Sequence, residues 1–586
     1  CPQAHVERLR QALGVSGLLA QVLVRRGLAE PERAARFLDG EAEHDLDAFG
    51  GIDAVAEALH AHVRAGSPIT VHGDYDVDGV CATALLLRAL RALGADADSY
   101  IPDRAEGYGL SLKTVERLAA RGTRLLVTVD CGIAARREVA AARAAGMEVI
   151  VTDHHAADGA APPDAHVLHP VLSGYPCAEL CGTAVAYKLA LALMRRAGAD
   201  RGVVEEDLDL VALATVADSV PLRGENRALV RGGLRALART AKPGLRALMS
   251  CAGADPARID ERTVAFGLAP RLNAAGRLYR ADAALELLLC TDPARAGQIA
   301  GELDRANHER RDTETRVLFE AEAQVAARPG QHAYVLAGER WHPGVIGIVA
   351  SRLAERHGRP FVLIALDGDR GKGSGRSIEG FDLLASLDAC AEHLHRHGGH
   401  RAAAGLEVER AALQEFGAAF HAHARLTLSA EDLAPSVRVD ALAEGSELSL
   451  ERAEELSLLA PFGRANPQVS LLLRSVSLAG VRAMGGGRHL RFAVRCGGSS
   501  MNAVAFGFGA RAGFRTALGA AERFDGVFRL EVNEYNRITE ARLNLVHLQA
   551  AGALTQDDAA SPDAIGIARQ LPYPVMDARR DHTLAG

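Results

Sequence analysis

Between residues 50 and 220, apolar positions fall into short runs separated by longer stretches with helical spacing. The runs Asp98–Ile101, Leu125–Val129 and Val149–Thr152, with Ile69–Val71 before them and Val167–Leu168 after, predict strands. The segments Val80–Leu93, Leu112–Ala120 and Ala134–Ala145 predict helices between them. This alternation is the signature of a parallel sheet with helices on both faces. Upstream, Val6–Leu13, Leu18–Arg26 and Pro31–Leu38 predict helices in a segment 1–45 that carries no chemistry. Downstream, 292–328 predicts one long charged helix, with Asp292-Pro293 as its start signal and Pro329-Gly330 as its stop. A helix of that length predicts a spacer joining two lobes across a cleft.

A second α/β unit follows. It runs through Ala333–Ala337, Trp341–Leu353 and Pro360–Ala365. From about 431 the pattern changes to alternation: Val469–Leu473, Leu490–Val494, Met501–Phe506, Val527–Val532 and Leu543–Leu548. Five short strands with Gly-rich turns predict a small barrel, the OB-fold first among candidates. The expected fold class is therefore α/β with an appended β-barrel, divided as 1–45, 46–291, 292–330, 331–430, 431–550 and a loosely structured tail, 551–586.

The chain has 586 residues, and its net charge of -7 excludes a globally basic nucleic-acid binder, so any such surface is local. Arginine carries almost all the positive charge, which supplies planar donors suited to phosphate. The nine cysteines are scattered without CxxC pairs and read as reduced thiols of a cytoplasmic protein. No 18-residue apolar run and no signal peptide are visible, so no membrane association is expected. The first residue is Cys1, so the natural start is expected upstream.

The chemistry gathers after the strands. Val71-His72-Gly73-Asp74-Tyr75-Asp76-Val77-Asp78-Gly79 places a histidine and three aspartates within seven residues, with no lysine or arginine among them. Such a density of negative charge is costly unless it is neutralised, and oxygen and imidazole donors suit Mn²⁺ or Mg²⁺. An acidic, solvated turn with an Asp cap is the plain alternative. Asp130 follows Leu125–Val129, and Asp153-His154-His155 follows Val149–Thr152. In open α/β sheets, ligands collect at the carboxyl ends of strands. Asp218 lies in Ala214–Pro221 after an apolar helical run, and an acid is electrostatically misplaced at a helix C-terminus, which favours a functional role.

His-x3-Asp-x-Asp-Gly, an isolated Asp, Asp-His-His and a distal Asp, in that order, resemble the DHH phosphoesterase superfamily. Ile101–Leu110, Ala269–Leu278, Pro461–Pro467 and Asn533–Asn536 resemble segments of the RecJ exonucleases within it, and 331–430 resembles the DHHA1 domain. The resemblance implies two divalent ions, Mn²⁺ or Mg²⁺, with one held by Asp76, Asp130 and either His72 or Asp74. The other would be held by Asp78, Asp130, His154 and Asp218, with Asp130 bridging. His155 would contact the scissile phosphate or protonate the leaving group, and Asp153 would orient a ligand histidine.

Substrate contacts are expected from Arg104, Tyr108, Arg271, Asn273, Arg277 and Arg280, and from Ser374, Arg376 and Ser377 in the Gly-rich Gly371–Ser377 segment. That segment lacks the order and spacing of a P-loop. His397 and His400 are further candidates, with a zinc site among histidines 393, 395, 397 and 400 as the alternative. Phe492, Phe506 and Tyr535 are candidate base-stacking rings, against the alternative that each is barrel core. The resemblance implies a single-strand-specific DNA exonuclease running 5′ to 3′ and releasing mononucleotides in recombination and repair. It would be a monomer whose partners include single-strand-binding protein, helicase or other repair proteins. The rivals are a relative acting on short oligonucleotides, cyclic dinucleotides or pyrophosphate, and a non-catalytic scaffold that binds single-stranded DNA.

Overall fold

Five parallel strands organise the first half of the chain: β1 (Ile69–His72), β2 (Ala97–Tyr100), β3 (Leu125–Val129), β4 (Glu148–Thr152) and β5 (His166–Leu168), in the order β2-β1-β3-β4-β5. The structure is a computed structural model. It describes residues 2–552 except 41, 105, 158–160, 279, 281, 435–436, 510–521 and 536–537, so the tail from 553 lies outside the described residues. Every residue of β3 is buried, because helices cover both faces of the sheet. The helices Val77–Ala92 and Gly182–Ala197 are buried over most of their length and fill the core between sheet and outer helices. The strand order reverses between β1 and β3, so the topological switch point lies where His72 ends one strand and Asp130 follows the other. Residues 39–310 form one compact body, which also takes in 461–467.

The second body comprises the first 38 residues, 311–460 and the described residues from 468. Its α/β part is a mixed sheet, β6 (Tyr334–Gly338), β7 (Phe361–Asp367), β8 (Arg370–Arg376), β9 (Arg396–Gly399) and β10 (Ala403–Glu409), ordered β6-β7-β8-β10-β9. The Gly-rich segment is therefore a strand. Gly371, Gly373 and Gly375 alternate along β8, and a Cβ on them would meet Ile364, Leu406 and Leu383 at 2.5, 2.6 and 2.9 Å. These glycines let neighbouring side chains close onto the strand. Lys372, Ser374 and Arg376 face the other way.

The barrel consists of β12 (Leu471–Met484), β13 (His489–Cys496), β14 (Ser499–Ala505), β15 (Phe524–Tyr535) and β16 (Ile538–Ala550), and the pairing of β12 with β15 closes it. A short strand, β11 (Ala441–Leu442), runs parallel to the start of β12. Along β13 the buried positions are Leu490, Phe492 and Val494, so Phe492 points into the barrel. At 5% exposure it has no face for a base, and the core alternative holds for that ring. The N-terminal helices Gln3–Leu13 and Gly17–Arg25 belong to this body: the Ser16 amide donates to Glu455 at 2.6 Å, and buried Arg26 pairs with buried Asp440.

The helix Pro293–Ala326 runs 34 residues, close to the expected 292–328. Its C-terminal half packs in the second body, where Glu320 accepts the Trp341 indole N–H at 2.7 Å.

Candidate metal centre and substrate contacts

β1 ends on His72, and the chain turns through Gly73–Asp76 into the helix Val77–Ala92. Asp76 caps that helix, its Oδ1 accepting the amides of Asp78 at 2.9 Å and Gly79 at 3.1 Å. Gly79 packs so close to the loop that a Cβ there would lie 2.5 Å from the Asp74 nitrogen. Asp78 reaches back to the N-terminus of the helix Gly182–Ala197, accepting from the Gly182 and Thr183 amides at 2.6 and 2.7 Å.

Asp130 leaves β3 with φ +60°, a left-handed conformation uncommon for a residue with a side chain. Three contacts hold it. Its amide donates to the Thr152 carbonyl at 3.0 Å, the Tyr108 hydroxyl donates to its carbonyl at 3.0 Å, and Gly182 leaves its side chain room.

These elements bring together the expected ligands except His72, which belongs to none of the groups. Three groups have donor atoms mutually within 4.8 Å: Asp74, Asp76 and Asp130; Asp78, His154 and Asp218; and Asp130, His154 and His155. Asp130 and His154 each appear in two of them, with His154 Nε2 3.1 Å from Asp130 Oδ1. His72 is fully buried, its Nδ1 3.6 Å from the Cys131 sulfur. Four buried atoms here have no hydrogen-bond partner: His72 Nε2, Asp74 Oδ1, Asp130 Oδ1 and His154 Nε2. Buried polar atoms are normally paired, so four orphans in one place mark a set of donors that fits cations.

The electrostatics agree. Burial, then neighbouring acids, push Asp130 well above the usual carboxylate range, Asp74 up to about 7 and Asp218 to about 8. Burial lowers His72 to about 4. The carboxylates are held together against their own repulsion, and a divalent charge relieves it.

Asp153 stands behind the acids, but the imidazole it reaches is not that of the expected ligand His154, which meets it only through its amide. Its Oδ1 accepts the His154 and His155 amides and lies 2.8 Å from His155 Nδ1, while Oδ2 accepts from Ile133. The histidine it orients is His155. Burial alone would lower His155, but the Asp153 hydrogen bond and charge outweigh it and raise it.

The other expected contacts divide. Asn273 accepts the Val77 amide at 3.2 Å, and Arg277 acts electrostatically on Tyr75, so the helix Ala269–Leu278 faces the acid loop. Arg104 lies over Tyr75, and Tyr108 touches His155. Arg271 lies away from the acids, its guanidinium bonded to Asp304 and to the carbonyls of Gly267 and Cys251. Arg280 pairs with Asp282 and Glu286.

In the second body, Ser374 and Arg376 lie together, 3.1 Å apart, beneath Gly347. Ser377 points elsewhere, donating to the Phe381 carbonyl at 2.7 Å. His397 pairs with Asp388, and His400 forms a tight turn with Ala403. Among the described residues the histidines at 393, 395, 397 and 400 form no group with metal-ligand spacing. Phe506 is half-buried, edge-on to His489, and the Tyr535 side chain lies outside the described residues.

One neighbour of the centre escaped sequence reasoning. Arg464 lies in Pro461–Pro467, which the alternating pattern attaches to the barrel. The segment instead joins the first body, where the Arg464 carbonyl accepts the Leu222 amide at 2.8 Å and the Arg464 charge acts on Asp218.

Known proteins place this architecture. The chain matches the N-terminal domain of the DHH family over residues 68–215, the DHHA1 domain over 329–425 and the RecJ OB domain over 439–547. It is 36% identical to the single-stranded-DNA-specific exonuclease RecJ of Bacillus subtilis, over 92% of this chain and 69% of that one. The chain belongs to the RecJ family of exonucleases. The crystal structure of the Thermus thermophilus RecJ in complex with Mn²⁺ superposes with a TM-score of 0.81 at 34% identity, covering 95% of this chain and 80% of that one. The Mg²⁺ complex of the same RecJ gives 0.76 at 32% identity, covering 95% and 79%. The mixed sheet is thus the DHHA1 domain and the closed barrel the RecJ OB domain.

Proposed function

We propose that this chain degrades single-stranded DNA from its 5′ end, releasing mononucleotides by hydrolysis at two divalent metal ions. The observation that carries the reading is the sharing of Asp130 and His154 between groups of clustered acids and imidazoles in which Asp74 Oδ1, Asp130 Oδ1 and His154 Nε2 are buried without a hydrogen bond. Asp76 and Asp130 with Asp74 or His72 would hold one ion; Asp78, Asp130, His154 and Asp218 would hold the other. Such a pair supplies an activated water and clamps the attacking and leaving oxygens.

The chain's own residues do the rest. Asp153 accepts the Nδ1 proton of His155, which leaves Nε2 for a phosphate oxygen or the leaving group. Asn273 ties the helix Ala269–Leu278 to the first turn after the acids, so Arg277 rides with the centre. Arg104 offers donors to strand phosphates. Ser374 and Arg376, side by side on β8, are the proposed 5′-phosphate contact. The OB barrel is the proposed track for the rest of the strand.

The monomeric chain would act in DNA recombination and repair in the cytoplasm, meeting single-strand-binding protein or a helicase there. Among the described residues, no helix is long and apolar enough to cross a membrane. The test is the Mn²⁺-dependent breakdown of single strands labelled at either end, against the same sequence as duplex. Early release of the 5′ label as mononucleotide from single strands alone is expected. Release from the 3′ label first, or equal breakdown of duplex, would contradict the reading.

A further inference from the structure

The loop that carries the acids holds one large side chain without a task in the two-metal reading, Tyr75. The guanidinium carbon of Arg104 lies 4.4 Å from the centroid of its ring. Arg104 Nε is buried and has no hydrogen-bond partner. The backbone of Tyr75 is gripped from the other side. A Cβ on Gly276 would lie 2.8 Å from the Tyr75 carbonyl oxygen, so the helix Ala269–Leu278 packs directly on this residue. Asp74, the residue before it in the loop, feels the Arg104 charge.

The way a guanidinium is held decides what it has left to offer. A carboxylate partner takes its in-plane N–H groups and cancels its charge, as Asp304 does for Arg271. An aromatic face holds the cation through the ring quadrupole and leaves the N–H edge and the full charge available.

We propose that Tyr75 is a positioning residue: its ring holds the Arg104 guanidinium beside the acid loop without a carboxylate partner, which leaves its N–H groups for a phosphate of the bound strand. This rests on the reading of Arg104 as a phosphate contact and adds the reason for an aromatic residue between two acids. The acids and the arginine platform then sit on one loop, so phosphate and metals are registered against each other by a single piece of backbone.

The test is binding of a 5′-phosphorylated single-stranded oligonucleotide to the full chain, with Ca²⁺ replacing Mn²⁺ to hold turnover off, across a salt series. Arg104→Ala should weaken binding about 5- to 20-fold and flatten the slope of log Kd against log salt by about 0.7, one phosphate contact on a single strand. Tyr75→Leu should reproduce both effects, and the double variant should bind no more weakly than Arg104→Ala. Tyr75→Phe keeps the ring face and should stay within about twofold of the unsubstituted chain. The Mn²⁺ concentration for half-maximal activity should be unchanged in Tyr75→Leu; Tyr75→Met serves if the leucine variant does not fold. Wild-type binding by Tyr75→Leu, with Arg104→Ala impaired, would overturn the proposal. So would a shifted Mn²⁺ requirement in Tyr75→Leu, which would mean that the ring only shapes the acid loop. Unchanged binding by Arg104→Ala would remove the phosphate reading and the proposal with it.

Discussion

The Tyr108 hydroxyl donates to the main-chain carbonyl of Asp130 at 3.0 Å, and the same oxygen lies 3.0 Å from His155 Nδ1. One side chain thus pins the left-handed backbone of the shared acid and braces the histidine beside it. Tyr108→Phe removes both contacts and keeps the ring. A neutral hydrogen bond is worth about 1 kcal/mol, so roughly a 5-fold loss of turnover is expected, with a higher Mn²⁺ requirement. Rates measured across a Mn²⁺ series check this, and an unchanged Mn²⁺ midpoint would leave Tyr108 as a substrate contact only.

Gly182 is the floor under Asp130. A Cβ at that position would lie 2.7 Å from both Asp130 Cβ and Oδ1. Gly182→Ala should displace the shared ligand, and a misplacement of about 1 Å costs on the order of 100-fold in rate. Circular dichroism should show the fold retained while hydrolysis is lost. Near-native rates in a folded Gly182→Ala protein would mean that Asp130 is not held as described.

The barrel is better tested by its surface than by deletion, because removing everything beyond 430 would also take Pro461–Pro467 out of the catalytic body. Arg482 and Arg491 are exposed and directly opposed across β12 and β13. Like charges in that register are unfavourable unless a polyanion lies over them. Replacing both with alanine should weaken binding of long single strands and leave cleavage of very short ones near native. Equal losses on both lengths would place the effect in the catalytic body.

Arg376→Ala should lower activity on 5′-phosphorylated strands far more than on 5′-hydroxyl strands, because a terminal phosphate carries the extra charge. The ratio of the two rates is the measurement. An unchanged ratio would leave Arg376 bonded only to Ser374 and the Gly375 carbonyl, as a structural arginine.

Much of this was legible because neighbours in sequence are neighbours in space. β3 runs Leu125–Val129 as its apolar run predicts, and the 34-residue helix is bounded close to its start and stop signals. The acids were legible because each follows closely on a strand or stands near a helix end. Side-chain competition was not. Arg271 and Arg277 lie in one helical segment with the same chemistry, but only the structure shows Asp304 taking Arg271. The alternation that predicts β13 also places Phe492 inward, so the ring offered for stacking was already assigned to the core by its own period. The glycines of Gly371–Ser377 carry no strand signal in the sequence, whereas on β8 they make room for Leu406 and Leu383. The return of Pro461–Pro467 to the catalytic body is a long-range contact with no local signal.

The central claim is that one carboxylate, Asp130, serves both metal positions of a single-strand exonuclease. It is tested most directly by the rate at which Asp130→Ala releases the 5′ nucleotide from a labelled single strand at saturating Mn²⁺. The account predicts no detectable release, with the fold intact and no rescue by added metal. Release at a near-native rate would contradict it.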